Sequence, residues 1–230
     1  MPEFTLSSRY PMKPGFYSSH QQLLRLLGQG GGRSLLDVGC AQGVVASGLK
    51  KQGWSVVGVE PDPFDADEAR KLGVRVITGY MEDVFETSAD HYDIVLFADV
   101  LEHMAFPEDA LRDARRLLKP DGFVVASIPN VAHLAVRLQL LMGSFTYTDR
   151  GPLDRTHLRF YTRQTVEKLF TDSGYAVLSR QVTPAPLEVA ANAVGLRETP
   201  RMLDEVNRLS ALAWPAGLAY QFLLLAQPVR

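Results

Sequence analysis

The chain has 230 residues, 46% of them apolar and 22% charged, enough to bury a sizeable core in one domain or slightly more. Its 24 basic residues stand against 26 acidic ones, so no global field draws it to nucleic acid. A single cysteine excludes an internal disulfide, and residues 1–17 hold no apolar core suited to a signal peptide, so a cytoplasmic protein is expected.

Beyond an N-terminal cap over residues 1–33, strand-like and helix-like stretches alternate, which predicts an α/β fold with a mostly parallel sheet and helices on both faces. Ser34 to Asp37 is the first predicted strand, and it runs into the turn Asp37-Val38-Gly39-Cys40-Ala41-Gln42-Gly43. A helix then covers Val44 to Gln52 and stops at Gly53. Strand two is Ser55 to Val59, followed by a helix from Pro63 to Leu72 that stops at Gly73. Strands three, four and five are Val74 to Thr78, Tyr92 to Phe97 and Phe123 to Ile128. Before the fifth, Pro107 to Leu118 places Leu111, Ala114 and Leu118 on one helical face, with its basic residues in solvent.

After the fifth strand the pattern changes. An amphipathic helix over Val131 to Met142 and a polar segment over Gly143 to Asp154 form an insert, expected to cover the open end of the sheet as residues 131–161. Thr162 is the expected N-cap of the next helix, which ends at Gly174 before a sixth strand near Tyr175 to Val182. From Leu209 to Val229 there is no charge, a length that would span a membrane. Pro215, Gly217, Gln221 and Pro228 break it, so no stable membrane insertion is expected, and Leu218 to Ala226 reads as a buried last strand closing the sheet from within residues 162–230.

The strand, the two glycines four apart and the helix start make a place to hold a charged small molecule against backbone. The acid-x-Gly-x-x-x-Gly turn resembles motif I of class I S-adenosylmethionine-dependent methyltransferases, in which the loop wraps the amino-acid end of the cofactor. A dinucleotide fingerprint would need a third, middle glycine, and Ala41 stands there, which argues against a nicotinamide-dependent oxidoreductase. Glu60 ends the second strand 21 residues after Gly39, where a carboxylate can accept both ribose hydroxyls. Gly79-Tyr80-Met81-Glu82-Asp83 follows the third strand where the family usually has Gly-Asp, so Tyr80 is a departure. Ala98-Asp99-Val100-Leu101-Glu102-His103 and Leu118-Lys119-Pro120-Asp121-Gly122 look like the flanks of strands four and five in the small-molecule branch that includes the ubiquinone-biosynthesis O-methyltransferases. Asp121 replaces that family's usual glycine. The run Asp154-Arg155-Thr156-His157-Leu158-Arg159-Phe160-Tyr161-Thr162 is similar to bacterial members associated with glycan and lipid-head-group assembly.

The resemblance implies a single Rossmann-like methyltransferase domain over residues 1–230, with a seven-stranded sheet of order 3-2-1-4-5-7-6, an antiparallel last strand and its cofactor-binding core in residues 34–130. It implies S-adenosyl-L-methionine as cofactor, held by Asp37, Gly39, Cys40, Ala41 and Gly43 on the loop, by Glu60 and Pro61 at the ribose, by Met81 with Glu82 or Asp83 at the adenine, and by Ala98 and Asp99. It implies methyl transfer to a small acceptor, at oxygen first. Transfer to nitrogen or carbon, and a non-catalytic cofactor-binding regulator, stay open.

A hydroxyl nucleophile benefits from a base, and His157 and His103 are the two histidines within motifs. Arg150, Arg155, Arg159 and Arg163 outnumber Asp149 and Asp154 in the covering segment, which suits an anionic acceptor; Asn130, Arg155 and Arg159 are the candidate acceptor contacts. The metal-dependent catechol branch carries an Asp-Asn pair where this chain has Pro129-Asn130, and no clustered His/Cys set is apparent, so no catalytic metal is expected.

Overall fold

A computed structural model describes Lys13 and residues 15–87, 91–187 and 201–229. Seven strands form one sheet: β1 Ser34–Val38, β2 Ser55–Glu60, β3 Arg75–Thr78, β4 Tyr92–Ala98, β5 Leu118–Pro129, β6 Tyr175–Thr183 and β7 Gln221–Pro228. Their order is β3-β2-β1-β4-β5-β7-β6, as expected, with the first five parallel and β7 antiparallel to both β5 and β6.

Side chains alternate between the two faces of each strand, and the core follows that period. Leu36, Val38, Val95 and Phe97 pack on one face against Leu111 and Ala114 of α5 (Pro107–Leu117) and Val166 and Phe170 of α7 (Arg163–Asp172). Leu35, Val56, Ile94 and Leu96 pack on the other, against Leu23 of α1 (Ser19–Leu27), Leu49 of α2 (Val44–Lys51) and Ala69 of α3 (Pro63–Lys71). Each fully buried leucine contributes roughly 1.5–3 kcal/mol. Leu35 and Leu36, fully buried on opposite faces, thus make β1 a central strand.

Local chemistry sets the helix starts. Asp62 caps α3 by accepting from the Phe64 and Asp65 amides, with Pro63 at the first helical position. Thr162 caps α7 and exchanges hydrogen bonds with Thr165 in a capping box. The predicted helices over 44–52, 63–72 and 107–118 each end one residue earlier, because Gln52, Leu72 and Leu118 are their caps.

Several expectations are corrected. Lys119 to Gly122 is part of β5 rather than a turn before it, accommodated by a register shift against Tyr92 and Ile94. The last strand begins at Gln221, not Leu218, because Leu218 ends the short helix α9 (Pro215–Leu218). The helix expected over Val131 to Met142 is shorter, α6 (Leu134–Leu141), and of its residues only Val136 is buried. Among the described residues, α9 and three further helices went unpredicted: α1, α4 (Met81–Thr87) and α8 (Arg201–Ala213). Ser18 capping α1 ahead of Leu23 and Leu27 was a legible signal; α8 offers none as clear, since Ala211 is its one buried side chain among those described. Among the described residues, no helix is long and apolar enough to cross a membrane.

Candidate functional site

The crossovers leave β1 toward β2 on one side and reach β4 on the other, so the carboxyl ends of β1 and β4 flank the switch point where ligands bind in such sheets. Gly39, Ala41 and Gly43 all have positive φ (66°, 45° and 72°), which folds the loop back over the end of β1. A side chain at Gly43 would meet Ala69 of α3 at 2.7 Å, so glycine there also lets the loop close onto the helix layer. Gly43 gives α2 no side-chain cap, leaving first-turn amides for an anionic group.

Beneath this loop Asp37 is 1% exposed, and its Oδ1 has no hydrogen-bond partner among the described residues. Burial, with the nearby Glu60 charge, pushes its carboxyl up to about 7. An orphaned buried carboxylate lacks a cation, and the ammonium of a methionyl group is such a cation. Glu60 accepts the Ala41 amide on Oε2 and the Asp62 amide on Oε1, both at 2.9 Å. Each oxygen keeps a lone pair for a ribose hydroxyl. Burial raises this carboxyl too, opposed by those two amides. The chemistry of these residues fits S-adenosylmethionine: an unpartnered carboxylate oxygen suits an ammonium, first-turn amides a carboxylate and Glu60 a pair of hydroxyls.

The adenine residues separate. Met81 is buried in the core at the start of α4, and Asp83 accepts the Tyr80 amide at 2.7 Å to close the turn after β3. Glu82 is exposed. Cys40 is buried against Gly58, where a side chain on the glycine would meet its sulfur at 2.5 Å, and burial pushes its thiol up. Pro61 is exposed between the two amide-linked residues, and Ala98 ends β4.

Asp99 turns away from that half of the site. It adopts φ 58°, and its carboxylate accepts Ser127 Oγ of β5 at 2.6 Å, Gln221 Nε2 of β7 at 2.7 Å and Ser19 Oγ at 3.3 Å, together with the Lys13 ammonium. Burial alone would raise it. The Lys13 charge and these donors outweigh burial and hold it at about 2. Asp99 therefore organises the ends of β4, β5 and β7, the side opposite the cofactor loop.

The insert is pinned across this second half. Val131 and Tyr161 close its base through a 2.9 Å backbone bond, while the Glu102 carbonyl accepts the amides of Leu158 and Arg159 at 2.9 and 3.0 Å. That clamp sets His157 against His103, ring centroids 4.8 Å apart and nearly perpendicular. Burial first, then the His103 charge, lowers the His157 imidazole below its ordinary value, and a hydrogen bond with the Pro152 carbonyl partly opposes the shift. The shift favours the neutral imidazole, the form able to accept a proton.

Glu102, which sequence reasoning quoted within a motif but gave no role, completes the group. It is 1% exposed, neither carboxylate oxygen has a hydrogen-bond partner among the described residues, and burial raises it well above the usual range. Its direct adjacency to His103 was the signal that could have flagged it. One ligand atom from each of Glu102, His103 and His157 lies within 4.8 Å of the others, a set that could hold a metal ion. The expected lack of a clustered ligand set is thereby corrected: residues 55 apart in sequence meet only because the insert folds back.

Other acceptor candidates have partners within the fold. Asn130, fully buried, donates to the Ala219 carbonyl at 2.8 Å and accepts the Ala132 amide at 3.0 Å, tying β5 to the approach to β7. Arg159 donates to the Ala105 carbonyl at 2.6 Å, and Arg155 pairs with Asp149 at 2.6 Å on the exposed rim. Lys13, Ser19, Ser127 and Gln221 were missed, since nothing local in the sequence links them to Asp99.

The methyltransferase domain family profile matches residues 15–180. The chain is 29% identical over 126 residues to the ubiquinone biosynthesis O-methyltransferase of Pectobacterium atrosepticum, covering 52% of this chain and 50% of that protein. It is 26% identical over 157 residues to the human mitochondrial ubiquinone biosynthesis O-methyltransferase, covering 64% of this chain and 42% of that protein. The chain thus spans about half the length of the curated relatives it matches. In fold it is similar to a SAM-dependent methyltransferase from Archaeoglobus fulgidus, with TM-score 0.64, 16% identity and 90% and 91% of the two chains covered. It is also similar to the 1,6-didemethyltoxoflavin-N1-methyltransferase of Burkholderia thailandensis, solved with 1,6-didemethyltoxoflavin and S-adenosylhomocysteine, with TM-score 0.58, 18% identity and 92% and 77% covered.

Proposed function

The chain belongs to the methyltransferase domain family, and from that premise we propose that this S-adenosylmethionine-dependent methyltransferase transfers its methyl group to a hydroxyl oxygen of a small acceptor. S-adenosylmethionine supplies an electrophilic methyl on a sulfonium. Asp37, the α2 amides and Glu60 are the residues proposed to hold it, and the nicotinamide alternative falls away with the family match. The observation that carries the oxygen assignment is the His157 imidazole set against His103 by the insert, with burial favouring its uncharged, proton-accepting form. Nucleophile positioning dominates such transfers, and a base near its working pH adds most where the attacking group must lose a proton. In this reading His157 takes the hydroxyl proton, while His103, whose Nδ1 lies 3.2 Å from the Thr156 carbonyl, fixes the loop against it.

Incubation with methyl-labelled cofactor and a panel of phenols, carboxylated phenols and phosphorylated sugars tests this. A label on an ether or ester oxygen is the expected product; a label found only on nitrogen or carbon overturns it. The same assay addresses the metal. Activity is expected to persist after exhaustive EDTA treatment, because burial disfavours the charged form of Glu102 that would ligate a cation and the Lys13 ammonium already lies at Asp99. Turnover lost with EDTA and restored by magnesium would instead assign Glu102, His103 and His157 to a cation.

A further inference from the structure

Lys13 reaches the site from before the first helix. Its amide donates to His20 Nδ1 at 3.1 Å and its carbonyl accepts Ser18 Oγ at 3.0 Å, so the backbone is fastened to the start of α1 at two points. Its ammonium donates to Ser19 Oγ at 3.2 Å and to the Asp99 carboxylate, 86 residues away in sequence. Those bonds use two of its three N–H groups among the described residues. The Lys13 side chain remains 41% exposed, whereas that of Asp99 is 16% exposed.

Asp99 does not depend on Lys13 alone. Ser127, Gln221 and Ser19 already give its two oxygens three neutral donors. The lysine is therefore one of several donors to the carboxylate, and its charge is the strongest influence holding Asp99 ionised against burial. That charge lies at the ends of β4, β5 and β7, across the switch point from the Asp37 loop, in the half that also holds His157 and Glu102. Arg155 and Arg159, the cations expected to receive an anionic acceptor, are turned to Asp149 and to the Ala105 carbonyl.

We propose that Lys13, fixed by Asp99 and Ser19, is the acceptor-positioning cation of this site, receiving an oxyanion of the acceptor on its remaining N–H. This rests on the methyl-transfer reading above and narrows its substrate class to hydroxyl compounds bearing a carboxylate or an ionised phenol. The ammonium positions the acceptor, and Asp99 holds the ammonium, so no bond is made or broken at Lys13.

The test measures binding of three probes to the protein saturated with S-adenosylhomocysteine: 4-hydroxybenzoate, 4-hydroxybenzamide and 4-nitrophenolate. Loss of a charge-assisted hydrogen bond corresponds to roughly a ten- to hundredfold loss of affinity. Lys13→Met is expected to lose that much for the carboxylate probe, for the phenolate, or for both, identifying which oxyanion is bound, and to leave the uncharged amide unaffected. Lys13→Gln, which keeps a donor toward Asp99 and guards against loss of folding, should show the same selective loss; Lys13→Arg should retain binding. Equal binding of the anionic probes by wild type and Lys13→Gln overturns the assignment, as does a wild type that binds neither. A parallel comparison of S-adenosylhomocysteine with 5′-methylthioadenosine, which lacks the amino-acid end, removes the remaining ambiguity. Weakened S-adenosylhomocysteine with unchanged 5′-methylthioadenosine would place the lysine on the cofactor's own carboxylate and overturn the acceptor assignment. Failure of the oxygen-methylation reading shows separately, as wild-type protein that binds these probes yet transfers labelled methyl to no hydroxyl.

Discussion

His157→Gln is expected to lower the rate of the chemical step by roughly 10² to 10⁴ while leaving cofactor affinity unchanged. Glutamine keeps a hydrogen-bonding side chain against the Pro152 carbonyl and His103 but accepts no proton near neutrality. Single-turnover kinetics on the identified acceptor separate the two roles open to the residue. A base leaves the acceptor's binding nearly intact and removes the rising limb of the pH–rate profile. That limb should lie below the ordinary histidine value, because burial lowers the imidazole. Wild-type turnover in the variant would reduce His157 to a contact that holds the insert, and Glu102 with its two orphaned oxygens would become the next candidate.

Asp37→Asn is expected to weaken S-adenosylmethionine roughly ten- to hundredfold, and Glu60→Ala to do the same, through loss of charge-assisted hydrogen bonds. The two substitutions should part company in the protein without cofactor. Burial pushes the Asp37 carboxyl up to about 7 in the folded protein, from an ordinary value of 3.8 that the unfolded chain keeps. The folded state therefore binds the extra proton between those values, and its stability falls as pH rises from about 4 through about 7. Asparagine removes that liability, so the variant should melt above wild type at pH 8, with the advantage disappearing toward pH 4. Thermal melts across that range check the sign. A constant offset would mean that Asp37 is ionised throughout, with a partner in the fold. Adding cofactor should reverse the ranking near neutrality, since a bound ammonium favours the ionised aspartate and stabilises only wild type appreciably.

The Asp37 loop was legible because its chemistry is local. An apolar strand, an acid, two glycines at fixed separation and a helix start are consecutive in sequence, and only a few backbone torsions stand between that string and the loop. Glu60 was legible for a related reason: the strand–helix–strand unit sets the distance from Gly39 to the end of β2, and parallel pairing puts the two strand ends side by side. Adenine recognition was less so. Glu82 and Asp83 are adjacent in sequence, yet the first turn of α4 exposes one and bends the other back onto the Tyr80 amide.

The sequence by itself determined the strands, their apolar core, the Thr162 cap and the loop under which Asp37 is buried, since each depends on residue period or on neighbours within a turn, while the strand order followed from the family resemblance. Only the tertiary structure decided the surroundings of His157 and Asp99. His103 and His157 meet because the Glu102 carbonyl takes two amides of the insert; Asn130 and Arg159 prove to be ties between segments; Lys13 finds Asp99 across 86 residues. Polar side chains carry no period that announces a distant partner. Their roles are assigned by which donors and acceptors burial brings within hydrogen-bonding distance, and that depends on the closure of the whole chain.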